Sequence, residues 1–371
     1  MLTYGVVCAA IFALSTGFVV LPFTILPRAQ KADSTVVLSH VLFRHGNRTP
    51  EVSELYPKDP YLNYTYYPYG RGQLTNAGKR REYSIGEALR GRYEDFLGQY
   101  YIPEELDARS TDRNRTKASL LLALASLYAP RKKQVWRRSL DWQPVPYNYV
   151  PERYDAVLYG TSCPTYKTEY ASVQQSDEVQ EEYKTYKDTF DYIAENSGLN
   201  VTTYEDVYNL YFGLSTEEEF GLALPRWTRQ VWPATINEIA YKQYYIYTKT
   251  PTLKKMAAGY LLQKIINDSQ SKATNQNDKK LYLYSAHENN IGQMLATLDL
   301  FEYPHVPTYG TYLIFEIHLV DGVYGVKIYY QNYETAEPKL LKLAACEEFC
   351  PVDSFKELVA EYLPEDGLCG S

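Results

Sequence analysis

Three stretches of the chain share one pattern: an extended run, a cluster of charged side chains, then a helix. The first is the apolar run Thr35 to Phe43, which leads into Arg44-His45-Gly46-Asn47-Arg48-Thr49-Pro50. The second ends Leu106-Asp107-Ala108-Arg109-Ser110-Thr111-Asp112, and a helix that is apolar almost all round is predicted from Thr116 to Tyr128. The third is Lys280 to Ser285, followed by Ala286-His287-Glu288. A helix then begins, with Ile291, Met294, Leu295 and Leu298 on one face. If the three strands are parallel, all three charged clusters lie on one edge of one sheet. That carboxyl edge is where open α/β sheets bind ligands, and helix N-termini there add amide donors for an anion.

The residue types at that edge narrow the chemistry. Arg44 and Arg48 flank one point and need an anion between them, and planar guanidinium forks suit a phosphate. His45, between them, can be a nucleophile, which a purely binding site would not need. Phosphoryl transfer to a histidine also needs further cations on the non-bridging oxygens and an acid for the leaving alcohol. Arg109, His287 and Glu288 supply those types. Taken singly, a His-Glu dipeptide or a strand-end arginine is ordinary. Of the five histidines, His40, His305 and His318 are assigned to structure.

Arg44-His45-Gly46-x-Arg48-Thr49-Pro50 resembles the signature of the histidine acid phosphatases, the second branch of the histidine phosphatase superfamily. The resemblance runs over essentially the whole chain after the leader. It continues through Gly72-Gln73-Leu74-Thr75-x-x-Gly78, Arg109-Ser110-Thr111-Asp112 with Arg115-Thr116, and Tyr284-Ser285-Ala286-His287-Glu288. Trp142-Gln143-Pro144-Val145-Pro146 and the Cys346/Cys350 pair are similar to prostatic, lysosomal and secreted insect acid phosphatases. The resemblance implies His45 as nucleophile and Glu288 as proton donor. It implies Arg44, Arg48, Arg109 and His287 as phosphate ligands, no metal and no cofactor. Much of the family has Asp where this chain has Glu288, one methylene longer. The implied reaction is hydrolysis of phosphate monoesters through a phosphohistidine. Phytase-like and lysophosphatidic-acid phosphatases are rivals on the same fold, and a secreted binding protein without catalysis is the rival from another class. A homodimer is open, because dimers are common in the family.

The fold expected is α/β: a mixed, mostly parallel central sheet with helices on both faces, plus an inserted, mainly helical subdomain. The core takes residues 33–150 and 276–371, and the insertion 151–275. Within the insertion, helices are predicted over Glu178 to Asn196, Thr203 to Leu210, Thr235 to Tyr247 and Leu253 to Asn267. Pro144, Pro146 and Pro151 mark an irregular connection before it. Asp321-Gly322, between Thr311–Val320 and Val323–Tyr330, is a hairpin signal. A short helix is expected at Ser354–Tyr362.

An apolar run from Tyr4 to Pro27 reads as a secretory signal peptide over residues 1–32, or as an uncleaved signal anchor. Either places the rest outside the cytosol: secreted, with a lysosomal or membrane-anchored form as the alternative. Cys8 lies in the leader. The four remaining cysteines allow three pairings. Cys346 and Cys350 are near enough to bridge, which leaves Cys163 with Cys369. Zinc is disfavoured because no histidine lies near them. Asn63, Asn200 and Asn267 are candidate glycan carriers, whereas Asn47 and Asn114 lie beside the arginine clusters and are expected bare. The net charge of -7 argues against a nucleic-acid binder, whose footprint would be basic.

Overall fold

The computed structural model describes residues 31–369. The expected leader falls almost wholly outside the described residues. The strands are β1 (Val36–Arg44), β2 (Leu106–Ser110), β3 (Asn148–Tyr149), β4 (Leu281–Ala286), β5 (Tyr312–Val320), β6 (Val323–Gln331), β7 (Lys339–Leu341) and β8 (Cys350–Pro351). They form one mixed sheet in the order β3-β2-β4-β1-β5-β6-β7, with β8 on β6. β3, β2, β4 and β1 are mutually parallel, and β5 begins an antiparallel half. The expected α/β class and mixed sheet are present.

Parallel register brings the three charged clusters to one level. Arg44 lies opposite Ala286, and Ser110 opposite Ser285. The ladder runs one step past the strands: His45 N–H donates to Ala286 O at 3.0 Å, and Thr111 N–H to Ser285 O at 3.0 Å. Strand alternation divides the core between the two faces. Leu38 and Leu42 of β1, with Tyr284, Phe315 and Ile328, pack under the helices Tyr260–Ala273 and Glu288–Thr297. Val41 and Phe43, with Leu283 and Ile314, pack under the helices Asn76–Leu97 and Asn114–Leu127. Parallel strands buried on both faces need such near-continuous apolar sequence.

The chain between these halves is helical and has a core of its own, including Val179, Ile193, Tyr204, Val207, Leu214, Ile236 and Leu253. The helix expected over Glu178 to Asn196 is two, Asp177–Lys184 and Lys187–Ser197. The break sets Tyr183, Tyr186 and Phe190 around Tyr204, with ring centroids 4.7, 5.5 and 6.4 Å away. Aromatic packing there outweighs continuity of the helix. A further helix, Pro164–Gln174, starts with proline at its first position and had no counterpart in the sequence reading. The Asp321-Gly322 turn has φ of 48° and 81°, as a two-residue hairpin of this type requires. Disulfides join Cys163 to Cys369 and Cys346 to Cys350. The sequon residues Asn63, Asn200 and Asn267 are exposed.

Candidate active site

The loop after β1 is held by a second segment that pairs with it backbone to backbone. Thr49 N–H donates to Gln73 O, Gly72 N–H to Pro50 O, and Thr75 N–H to Asn47 O. Thr75 then caps the Asn76–Leu97 helix, its hydroxyl accepting from Gly78 N–H. A Cβ on Gly78 would stand 2.1 Å from Asn47 O, and one on Gly46 would stand 2.5 Å from Gly78 O. The two glycines let the helix start lie directly on the loop.

His45 is fully buried at the strand end. Its Nδ1 lies 2.9 Å from Gly46 O, and since a carbonyl only accepts, Nδ1 carries the hydrogen. Nε2 therefore presents its lone pair, which accepts from Arg115 Nε at 3.1 Å. Burial, then Arg115 and Arg44, hold the imidazole well below the usual histidine range, so it stays neutral in mild acid.

Arg44 leaves β1 on the face of the Glu288–Thr297 helix, and its Nε lies 3.4 Å from Glu288 Oε2. Its Nη1 donates to Pro307 O at 2.6 Å, and its guanidinium lies 3.8 Å from the Tyr309 ring centroid. Arg48 is fixed by a bidentate pair with Glu54 at 2.7 and 2.5 Å. Two buried N–H groups, Arg44 Nη2 and Arg48 Nε, have no protein partner and are available to an oxyanion.

His287 caps the Glu288–Thr297 helix and Glu288 is its first residue. His287 Nε2 meets Thr111 Oγ1 at 3.0 Å and Tyr159 OH at 2.9 Å. Burial, then Arg115, lowers the pKa of this imidazole as well. Glu288 Oε1 accepts from Tyr208 OH at 3.3 Å. One ligating atom from each of His45, His287 and Glu288 lies within 4.8 Å of the others, so the longer carboxylate still reaches the histidines. The adjoining pocket holds about 390 Å³ and includes Arg115, Tyr159, His287 and Glu288.

Arg109, expected at the phosphate, is instead paired with Asp155, which caps the short helix Ala156–Tyr159. The guanidinium against His45 belongs to Arg115. Arg115 is the second residue of the Asn114–Leu127 helix. Side chains in a helix lean toward its N-terminus, and here that end faces the sheet edge. Sequence reasoning placed Arg115 in the motif without giving it a role. It missed Tyr309, Tyr208 and Glu54, which come from segments with no charged signature of their own.

The sequence model of the histidine phosphatase superfamily (branch 2) matches residues 35–331. The chain is 40% identical to the venom acid phosphatase Acph-1 of Apis mellifera over 337 residues, covering 89% of this chain and 86% of that one. It is 31% identical to the prostatic acid phosphatase of Homo sapiens over 360 residues, covering 95% and 92%. Among solved structures, the Hafnia alvei phytase in complex with tartrate aligns with a TM-score of 0.68 at 14% identity, covering 91% of this chain and 99% of that one. This chain belongs to the second branch of the histidine phosphatase superfamily. Acid phosphatases are among its relatives at 31–40% identity, and the phytase likeness is one of fold.

Proposed function

We propose that the chain is an acid phosphatase that hydrolyses phosphate monoesters through a phosphohistidine. The observation that carries this is the tautomer of His45, with Nδ1–H tied to Gly46 O and Nε2 turned into a ring of arginines. Nε2 attacks phosphorus while the bond to the ester oxygen breaks. Arg44, Arg48, Arg115 and His287 hold the non-bridging oxygens and stabilise their charge in the transition state. The Glu288 carboxyl gives its proton to the departing alcohol. Water then attacks the phosphohistidine, Glu288 takes its proton, the P–N bond breaks and inorganic phosphate leaves. An acidic optimum follows, because the donor carboxyl must carry a proton while His45 stays neutral.

An inositol polyphosphate would need cations beyond this ring. The basic residues of the helical block that could serve it lie elsewhere. Lys184 pairs with Glu181 and Lys187 with Asp191, while Arg226 and Arg229 are exposed and do not line the pocket. A further arginine lining the pocket, Arg113, is paired with Glu152, and this favours esters with a single phosphate. Secretion and glycans at Asn63, Asn200 and Asn267 fit the disulfides and the venom and prostatic relatives. Among the described residues no helix is long and apolar enough to cross a membrane. The test is turnover of p-nitrophenyl phosphate between pH 4 and 7. Hydrolysis lost in His45→Ala supports the assignment, and a wild-type protein with no turnover across that range refutes it.

A further inference from the structure

One carboxylate in the site has no part in the chemistry above. Glu51 follows the motif and precedes the short turn Val52–Glu54. Its Oε1 accepts from Arg115 Nη1 at 2.5 Å, while Arg115 Nε donates to His45 Nε2 at 3.1 Å. In the resting enzyme the lone pair that must attack phosphorus is thus bonded to Arg115, and Arg115 is bonded to Glu51. The carboxylate also has a fitted seat. Gly72, at a φ of 66°, lies against it, and a Cβ there would stand 2.7 Å from Glu51 Cδ.

Two carboxylates on this turn meet two phosphate-site arginines, and their surroundings differ. Glu54 is largely covered and grips Arg48 with both oxygens, and it also accepts Glu51 N–H at 2.8 Å. Glu54 is a fixed strut. Glu51 has one contact to Arg115, and its side chain is 37% exposed against 10% for Glu54. Glu51 can turn to water, whereas Glu54 would have to open the core. A carboxylate and a phosphate oxygen seek the same N–H fork of a guanidinium.

We propose that Glu51 is an internal competitor for the substrate phosphate. It occupies Arg115 in the resting state, and passage of Arg115 from Glu51 to the phosphate frees His45 Nε2 to attack. This rests on the phosphatase reading of the site. Glu51 is then a specificity residue: the more highly charged the incoming group, the better it displaces a single carboxylate, so phosphate monoesters are favoured over sulfate esters or phosphodiesters. The competing view is that Glu51 only positions Arg115, and the two views differ in sign.

The experiment is steady-state kinetics on p-nitrophenyl phosphate with inorganic phosphate as product inhibitor, for wild type, Glu51→Gln and Glu152→Gln. Glu152 pairs with Arg113 at the rim of the same pocket and does not touch Arg115, so it reports the loss of charge alone. The competitor role predicts that Glu51→Gln lowers both KM and the phosphate Ki by about three- to tenfold, the scale of one ordinary net hydrogen bond, since water screens a carboxylate that is 37% exposed. It predicts a smaller change in kcat and little change for Glu152→Gln. An unchanged or raised KM in Glu51→Gln overturns the proposal, as does an equal fall in Glu152→Gln. If the Gln variant does not fold, Glu51→Asp, which keeps the charge but shortens the reach, is expected to lower the phosphate Ki in the same direction, and a raised Ki there overturns it. Wild-type protein without turnover refutes the phosphatase reading itself, whereas active wild type with an unresponsive Glu51 variant refutes only this step.

Discussion

At the scale of single residues, the claim most open to test is the exchange of Arg109 for Arg115. Arg115 donates to the nucleophile, and Arg109 is held by Asp155. Arg115→Ala is expected to lower kcat/KM by about 10²-fold or more, because it removes a donor aimed at transition-state charge. Arg109→Ala is expected to act mainly on stability, because it leaves the buried Asp155 carboxylate unpaired. Comparable losses of kcat/KM in two folded variants would contradict the exchange. Glu288→Gln is expected to slow alkyl phosphates far more than p-nitrophenyl phosphate, since only a poor leaving group needs the proton. Equal slowing on both would remove Glu288 from the donor role. His45, Arg44 and Arg48 were legible in the sequence because they sit together on one strand end. The difference between Arg109 and Arg115 has a physical source: the motif Arg-Ser-Thr-Asp-Arg-Asn-Arg contains three arginines, and only the helix start decides which of them points at the sheet edge.

At the scale of elements, the site depends on contact between the β1 loop and the start of the Asn76–Leu97 helix. Gly78→Ala places a methyl against Asn47 O, a backbone atom that cannot swing aside. The loop or the helix must shift, at a cost of about 1–3 kcal/mol. Because His45 lies two residues before Asn47, kcat should fall more than stability alone explains. Denaturant melts and kinetics on the same sample check this, and full activity in a folded variant would show that the loop does not need the glycine. The element pattern itself was largely readable. The Asp321-Gly322 hairpin could be read from its turn residues, and the strand–helix alternation around the three charged clusters from its periodicity. The break between the Asp177–Lys184 and Lys187–Ser197 helices was not readable, because it is set by aromatic contacts with Tyr204, some twenty residues away in sequence.

At the scale of the whole molecule, buried titratable groups set how stability follows pH. Burial and nearby Asp59 push Glu217 up to about 9. The folded state therefore keeps a proton that the unfolded chain releases above its ordinary carboxylate pKa. Its contribution is present at low pH and is lost as pH rises toward about 9. His40, His45 and His287 are shifted down, so they act oppositely: they cost stability as pH falls below about 6.5. Stability should therefore peak in mild acid. Glu217→Gln should flatten the alkaline side, sparing on the order of 2 kcal/mol between pH 5 and pH 8 after allowance for solvent screening. Melts at those two pH values decide it, and an unchanged difference would exclude Glu217 as the cause. The α/β class could be read from strand–helix alternation at this scale. The separate core of the helical block could not be placed against the sheet by periodicity, which says which face is apolar but not what covers it.

The central claim is covalent catalysis by His45, and the most direct measurement traps the intermediate. Enzyme is mixed with a ³²P-labelled phosphate ester in mild acid, quenched within milliseconds into alkali, digested and mapped. Attack by His45 predicts a base-stable, acid-labile phosphate on the peptide carrying His45, and no label in His45→Ala. Steady turnover with no label on that peptide would contradict it, since water would then be attacking the ester directly.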